Sequence, residues 1–423
     1  MYLIYNCLII SLLIIFSPII AAALIIKPKF RAGFFQKLGC YKTLKKNAGQ
    51  KTIVIHAVSV GEVIAVEKFI KTLREEFKND KIVLTTVTKT GNEVANKKLA
   101  DVVDEILYFP FDLFFSVKSF VNKTKPNLVI IAETEIWPYF ARELNNKNIP
   151  VMIINGRISP NSYRGYKKFS WFFKQVFKNY TKILMQTKGD MDRITDVGAP
   201  KNITEVMGNL KFDIENNLST QDINDLKEQF KIDNNPLLVV GSTHKGEDEI
   251  LLNVYKKLLK NTPDLKVILA PRHPERLKDV EELIKASGFL YSKRSEKGNF
   301  EKSQIVLLDT MGELSKMYAI AKVGFVGGSF SGTGGHNPLE SAIYDVPVVS
   351  GFSTFNFKDI YKFLTSDNAA FVVQNEEELF TVLDRLYTDK EFYDSASNAC
   401  NKVFRENSGA IKYALGTIKN ILK

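Results

Sequence analysis

Between residues 51 and 350, short apolar runs alternate with longer stretches in which apolar positions recur every three or four residues. The runs read as buried strands and the stretches as amphipathic helices. In a first series, strands are expected at 51–57, 81–86, 102–109, 127–132 and 151–155, with a helix over 63–77. A second series starts at Pro236, with strands at 237–241, 266–270, 305–308, 323–326 and 346–349, and helices from about Gly246 and over 275–287. Strands that are apolar throughout and separated by helices belong to a parallel sheet covered on both faces. The pattern therefore predicts an α/β protein of two doubly wound domains in tandem. Residues 215–235 are polar and charged with little to bury, and the domain boundary is expected there. Ligand is expected in the cleft between the domains, at the carboxyl ends of the strands.

Composition changes this picture at the N-terminus. Leu3 to Ile26 carries no charge and is about long enough to cross a bilayer. No basic segment precedes it, whereas Lys27, Lys29 and Arg31 follow, so the reading is an uncleaved anchor with everything after it on the cytoplasmic side. The net charge of +11 is concentrated in two acid-free blocks, residues 1–61 with eight Lys/Arg and 144–189 with nine. Next to an apolar segment, such blocks point to an anionic membrane surface rather than nucleic acid. Within the second block, 163–182 interleaves six basic residues with eight aromatics, which suits an interfacial helix or a docking surface for polar lipid. Three cysteines without motif spacing exclude a disulfide framework and fit a reducing compartment.

The chemistry-bearing residues lie where strands end. Glu62 is the first carboxylate of the chain and stands between a strand and the N-terminus of a helix. It is either a reactive group or a first-turn acid favoured by the helix dipole. Glu133 and Glu135 follow the most apolar strand of the first half, and helix capping accounts for only one of them. Gly327 to Glu340 holds five glycines in nine residues before a helix, with Asn337, Pro338 and Glu340 in a capping-box pattern. The glycines exceed what capping requires, which favours an anion-binding loop at a helix N-terminus. Arg272, at another strand end, could fork onto phosphate. Met311-Gly312-Glu313 and Gly208 to Asp213 are weaker signals, each a glycine turn. Asp190-Met191-Asp192 imitates a metal–nucleotide motif but opens a helix, where acids are expected anyway. The four histidines, His56, His244, His273 and His336, have no metal-ligand spacing, and no metal site is expected.

HAVSVGE, TTVTKTG, ETEIWP, NGRIS, GNLKFD, GSTHKGEDE, PRHPER, DTMGEL and GGHNPLE occur here in the order in which they occur in 3-deoxy-D-manno-octulosonic acid (Kdo) transferases. The chain resembles that family from the apolar segment to about residue 365. The resemblance implies a GT-B fold with an N-terminal membrane anchor (1–26), an acceptor-binding domain (27–215), a linker (216–235), a CMP-sugar-binding domain (236–400) and a helical tail (401–423). It implies an inverting, metal-independent transfer of Kdo from CMP-Kdo to the 6′-hydroxyl of a lipid A precursor, without a cofactor. The location implied is the cytoplasmic face of the inner membrane. Glu62 would be the general base, with Glu133 and Lys211 stabilising the transition state. Pro271, Arg272, Met311, Gly312, Glu313, Asn337, Pro338, Leu339 and Glu340 would contact CMP.

Overall fold

The computed structural model describes residues 2–26, 31–214, 218–232, 236–296 and 300–423. The chain forms two compact units, Met1–Asp213 with Asn407–Lys423, and Ile214–Glu406. The strands of the first are β1 Thr52–His56, β2 Lys81–Thr86, β3 Glu105–Tyr108, β4 Leu128–Ala132, β5 Val151–Gly156, β6 Lys182–Met185 and β7 Thr204–Val206. Those of the second are β8 Leu237–Thr243, β9 Lys266–Pro271, β10 Tyr291–Lys293, β11 Ile305–Leu307, β12 Val323–Val326, β13 Val348–Gly351 and β14 Ala370–Val373. Each unit holds one seven-stranded sheet, ordered β3-β2-β1-β4-β5-β6-β7 and β10-β11-β9-β8-β12-β13-β14. Every strand pairing described is parallel, as in β1 with β4 and β8 with β12.

In both sheets the chain leaves the first strand to one side and later returns to pair on the other. The reversals fall between β1 and β4 and between β8 and β12. At such switch points the connections diverge and leave a crevice at the carboxyl ends.

Packing explains the helices that frame these points. Helix Val60–Glu76 buries Val63, Val66, Phe69, Ile70 and Leu73, one stripe at helical spacing, against the first sheet. The C-terminal helix Ala410–Leu422 adds Ile411, Leu415 and Ile418 to the same apolar cluster, so the chain's end completes the first unit's core. The preceding helix, Lys390–Asn407, runs across the boundary expected at residue 400.

Several expectations change. Residues 216–217 and 233–235 of the expected linker lie outside the described residues, but Thr220–Phe230 between them is a helix of the second unit. Its Ile223, Leu226 and Phe230, three and four residues apart, pack on that unit's core. Residues 163–182 form two helices, Pro160–Lys168 and Ser170–Phe177, before β6. Phe177 and Tyr180 are core residues there, while Phe169 and Trp171 stay exposed.

The apolar N-terminus is also broken. Helices Tyr2–Ile15 and Ser17–Ile26 are bent by 57°. Pro18 has no N–H for the Ile14 carbonyl, which the Ser17 hydroxyl takes at 2.8 Å instead. Among the described residues no single helix is long and apolar enough to cross a membrane, and only the bent pair together meets that length and composition. The first helix is tied to its unit by Tyr5 Oη donating to Asp112 Oδ2 at 2.8 Å and by Asn179 Nδ2 donating to Tyr2 Oη at 2.7 Å. Lys27 and Lys29 of the expected basic flank lie outside the described residues.

Candidate active site

Two constellations form, one at each switch point. In the first unit, β1 ends in a loop whose Ser59 precedes helix Val60–Glu76. Glu62 folds back from the first turn of that helix, accepting Val58 N–H at 2.7 Å and Ser59 Oγ–H at 3.0 Å. Threonine chemistry in the next connection braces this loop. Val87 and Thr88 donate their N–H groups to Val58 O at 3.2 Å, and the Thr88 side chain caps helix Lys89–Leu99. Gly91 has to be glycine here, because a Cβ would come 2.7 Å from Thr88 Oγ1 and 3.2 Å from the Ser59 backbone.

Glu62 is only 9% exposed. Burial raises its pKa from the ordinary 4.5 to about 7, the neighbouring carboxylates of Glu133 and Glu135 add to the rise, and the two hydrogen bonds oppose it. Glu133 follows β4 with φ 57°, a left-handed conformation that is strained for a residue with a Cβ. Glu135, half-buried, has its pKa raised by burial and by Glu133. Lys211 lies in the turn Leu210–Phe212, and Leu210 shares an apolar cluster with Val63 and Val66 of the Glu62 helix. Thus Glu62 and Glu133 come within electrostatic reach of each other, with the Lys211 turn beside the same helix.

His56, at the end of β1, is a core residue. It bonds Thr85 Oγ1 at 3.0 Å, stacks on Phe109, and burial pushes its pKa down to about 3. Asp190 is absorbed by structure too, accepting Ile158 N–H at 3.0 Å and pairing with Arg193 at 2.7 Å.

The second unit encloses a cavity of 660 Å³ lined, among others, by Ser242, Arg272, Gly312, His336, Asn337 and Glu340. Four of these six were expected from sequence. Burial raises the Glu340 pKa while Arg272 opposes the rise, so the guanidinium and carboxylate face a common space. His336 approaches His244, with Nε2 to Nε2 at 3.0 Å, so one ring donates and the other accepts. Burial, Arg272 and His244 push the His336 pKa down to about 4, which leaves a neutral imidazole at pH 7.

The other expected nucleotide residues fall elsewhere. Pro271 closes β9, Met311 is 78% exposed, and Leu339 is buried in the core. Glu313 is engaged by Arg294 at 3.1 Å and by the Thr310 hydroxyl. Pro338 sits at the N-cap of a helix of only four residues, Leu339–Ala342. The expected capping box is absent: Asn337 Oδ1 accepts Leu339 N–H at 3.2 Å, and Glu340 turns to the cavity instead.

The glycine-rich loop brings the largest correction. Three of its N–H groups, on Gly328, Ser329 and Phe330, donate to the Glu247 carboxylate at 2.7, 2.8 and 2.8 Å. Those donors hold an internal anion, so this part of the loop is not an open phosphate cradle. Sequence reasoning missed Glu247, as well as Asp248, which pairs with Arg276 and accepts the Thr243 hydroxyl at 2.6 Å. In the sequence they look like first-turn acids, and no local signal marks them as wholly buried. Among the described residues no group of three or more His, Cys, Asp or Glu side chains is arranged to hold a metal ion.

Comparison with known proteins agrees with this architecture. The structure resembles that of UDP-GlcNAc 2-epimerase from Neisseria meningitidis with a TM-score of 0.53 at 13% identity, over 88% of this chain and 100% of that one, a likeness of fold. Two units of this kind, each built on one parallel seven-stranded sheet, define a GT-B-like α/β fold. Residues 32–214 match the family model described as 3-deoxy-D-manno-octulosonic-acid transferase (kdotransferase). The 3-deoxy-D-manno-octulosonic acid transferase of Haemophilus influenzae is 36% identical over 421 residues, 98% of each chain. That of Aquifex aeolicus is 33% identical, over 80% of this chain and 86% of that one. The chain belongs to the 3-deoxy-D-manno-octulosonic acid (Kdo) transferase family.

Proposed function

We propose that this Kdo transferase works by an inverting, metal-independent displacement, with CMP-Kdo as donor and the 6′-hydroxyl of a lipid A precursor as acceptor, in lipopolysaccharide synthesis. The observation that carries the reading is Glu62, a carboxylate whose pKa is pushed to about 7 at the switch point of the first sheet. A base with that pKa is half-ionised at working pH and can take a proton from a sugar hydroxyl as its oxygen attacks.

In this reaction the acceptor oxygen bonds to the anomeric carbon of Kdo on the face opposite CMP. The bond from that carbon to the phosphate oxygen breaks, and CMP leaves with the electron pair. The acceptor proton passes to Glu62. Glu133 supports the positive charge developing on the sugar, and Lys211 the negative charge developing on the leaving phosphate. CMP would occupy the 660 Å³ cavity, with Arg272 on the phosphate and Glu340 on the ribose hydroxyls. The acceptor lipid would be met by the first unit, where Phe169 and Trp171 are exposed beside Lys168. The same surface and the apolar N-terminal helices fit attachment to the cytoplasmic face of the inner membrane.

The test is mass spectrometry of a tetra-acylated lipid A precursor incubated with detergent-solubilised protein and CMP-Kdo, with and without EDTA. Kdo-sized increments in both reactions are expected. Loss of product in EDTA would overturn metal independence, and product from another nucleotide sugar but not from CMP-Kdo would overturn the donor.

A further inference from the structure

Glu247 has no place in the chemistry above, yet it is one of the most constrained side chains in the second unit. It is wholly buried, and it accepts four backbone hydrogen bonds: His244 N–H and Gly328 N–H on Oε2, Ser329 N–H and Phe330 N–H on Oε1. The donors come from the two strand ends that flank the switch point, β8 through His244 and β12 through the glycine-rich loop. A buried carboxylate is stable only with its acceptor sites filled, and here backbone donors fill them at 2.7 to 2.8 Å.

What the carboxylate ties together is the cavity wall. Beyond Phe330 the loop returns on itself, Gly335 N–H donating to Gly328 O at 2.8 Å and Thr333 Oγ1 to the same oxygen at 2.8 Å. His336, Asn337 and Glu340 follow immediately and line the cavity. His336 rests on His244, whose backbone is fixed by the same carboxylate. Glu247 itself does not line the cavity.

We propose that Glu247 is a positioning residue for donor recognition: it locks the glycine-rich loop to the β8 turn before any nucleotide arrives, so that His336, Asn337 and Glu340 form a preformed wall. The inference rests on the reading of this cavity as the CMP-Kdo site. Its consequence is that recognition of the donor phosphate falls to side chains, Arg272 first, and not to the amides of residues 328–330. A wall built in advance lowers the ordering cost of binding, so loosening it weakens affinity more than turnover.

Hydrogen exchange on the wild-type protein tests the lock without a variant. The amides of Gly328, Ser329 and Phe330 are expected to be protected without nucleotide, with no further gain on adding CMP. Unprotected exchange that slows only when CMP is added would overturn the proposal, since the donors would then belong to the ligand. The variant Glu247→Gln keeps the shape but turns an amide N–H₂ toward N–H donors. It is expected to raise the Kd for CMP and the KM for CMP-Kdo at least about tenfold, with kcat at saturating donor within about threefold of wild type. Folded Glu247→Gln with unchanged CMP affinity would overturn the proposal. If the variant does not fold, the wild-type exchange pattern still decides. Absence of CMP binding to the wild type would instead overturn the nucleotide reading, and the exchange pattern would remain a test of the lock.

Discussion

The two units solve the same topological problem with opposite chemistry. Each has seven parallel strands, a switch point beside its first strand, and a glutamate in the first turn of the helix that follows that strand: Glu62 after β1 and Glu247 after β8. Glu62 accepts two hydrogen bonds, from Val58 N–H and the Ser59 hydroxyl, and faces the second carboxylate of Glu133. Glu247 accepts four, all from backbone N–H groups. Burial, opposed by only two donors and helped by a like charge, raises the Glu62 pKa to about 7, whereas four amides on both oxygens make Glu247 a structural pin. Equivalent positions on the two sheets therefore place a glutamate in two different environments, set by the number and kind of its donors.

The largest expected effect breaks the comparison at Glu62. Glu62→Gln should lower kcat about 10²- to 10⁴-fold, the usual contribution of a general base, and leave the Kd for CMP unchanged. Steady-state transfer assays beside calorimetric CMP titration would measure both, and a parallel loss of CMP binding would contradict the division of labour. Next in size, Arg272→Ala should weaken CMP binding about 10- to 100-fold, the loss of a hydrogen bond to a charged group, with little change in melting temperature.

Gly91→Ala probes the brace behind Glu62. Because the new methyl would crowd Thr88 Oγ1 and the Ser59 backbone, a loss of about 1–3 kcal/mol in urea unfolding is expected, the usual range for overpacking. The smallest effect concerns stability. A carboxylate whose folded pKa is raised from 4.5 to about 7 binds its proton more tightly in the folded state, so stability is lost as pH rises through that window. Glu62→Gln should therefore melt about 2–4 °C higher than wild type at pH 8, with the difference vanishing by pH 4.5. Equal melting at both values would contradict a buried carboxylate of raised pKa.

How much of this was readable in advance follows the same contrast. Long apolar strands such as β4 and β8 and the stripe of helix Val60–Glu76 were legible because their periodicity is imposed by burial on the whole sheet. β6, β7, β10 and β14 were not; β7 and β10 lack the apolar run that made the equally short β11 stand out. Glu62, Glu133 and Arg272 were singled out because they stand at or just beyond the carboxyl ends of strands, where the structure also places them. Glu247 was missed because three of its partners lie more than eighty residues away, in the loop taken for a phosphate cradle. The glycines were noticed correctly, but the N–H groups of residues 328–330 bond an internal glutamate. The helix Thr220–Phe230 was hidden by composition, being polar except for the few residues that touch the core.

The claim that the first unit holds the proton-accepting carboxylate is tested most directly by the single-turnover rate of Kdo transfer, measured from pH 5 to 9 on wild type and Glu62→Gln. The wild-type rate should rise with an inflection near pH 7 and then level off, and the residual rate of the variant should lack that inflection. A variant that keeps both the rate and the inflection would remove Glu62 as the base.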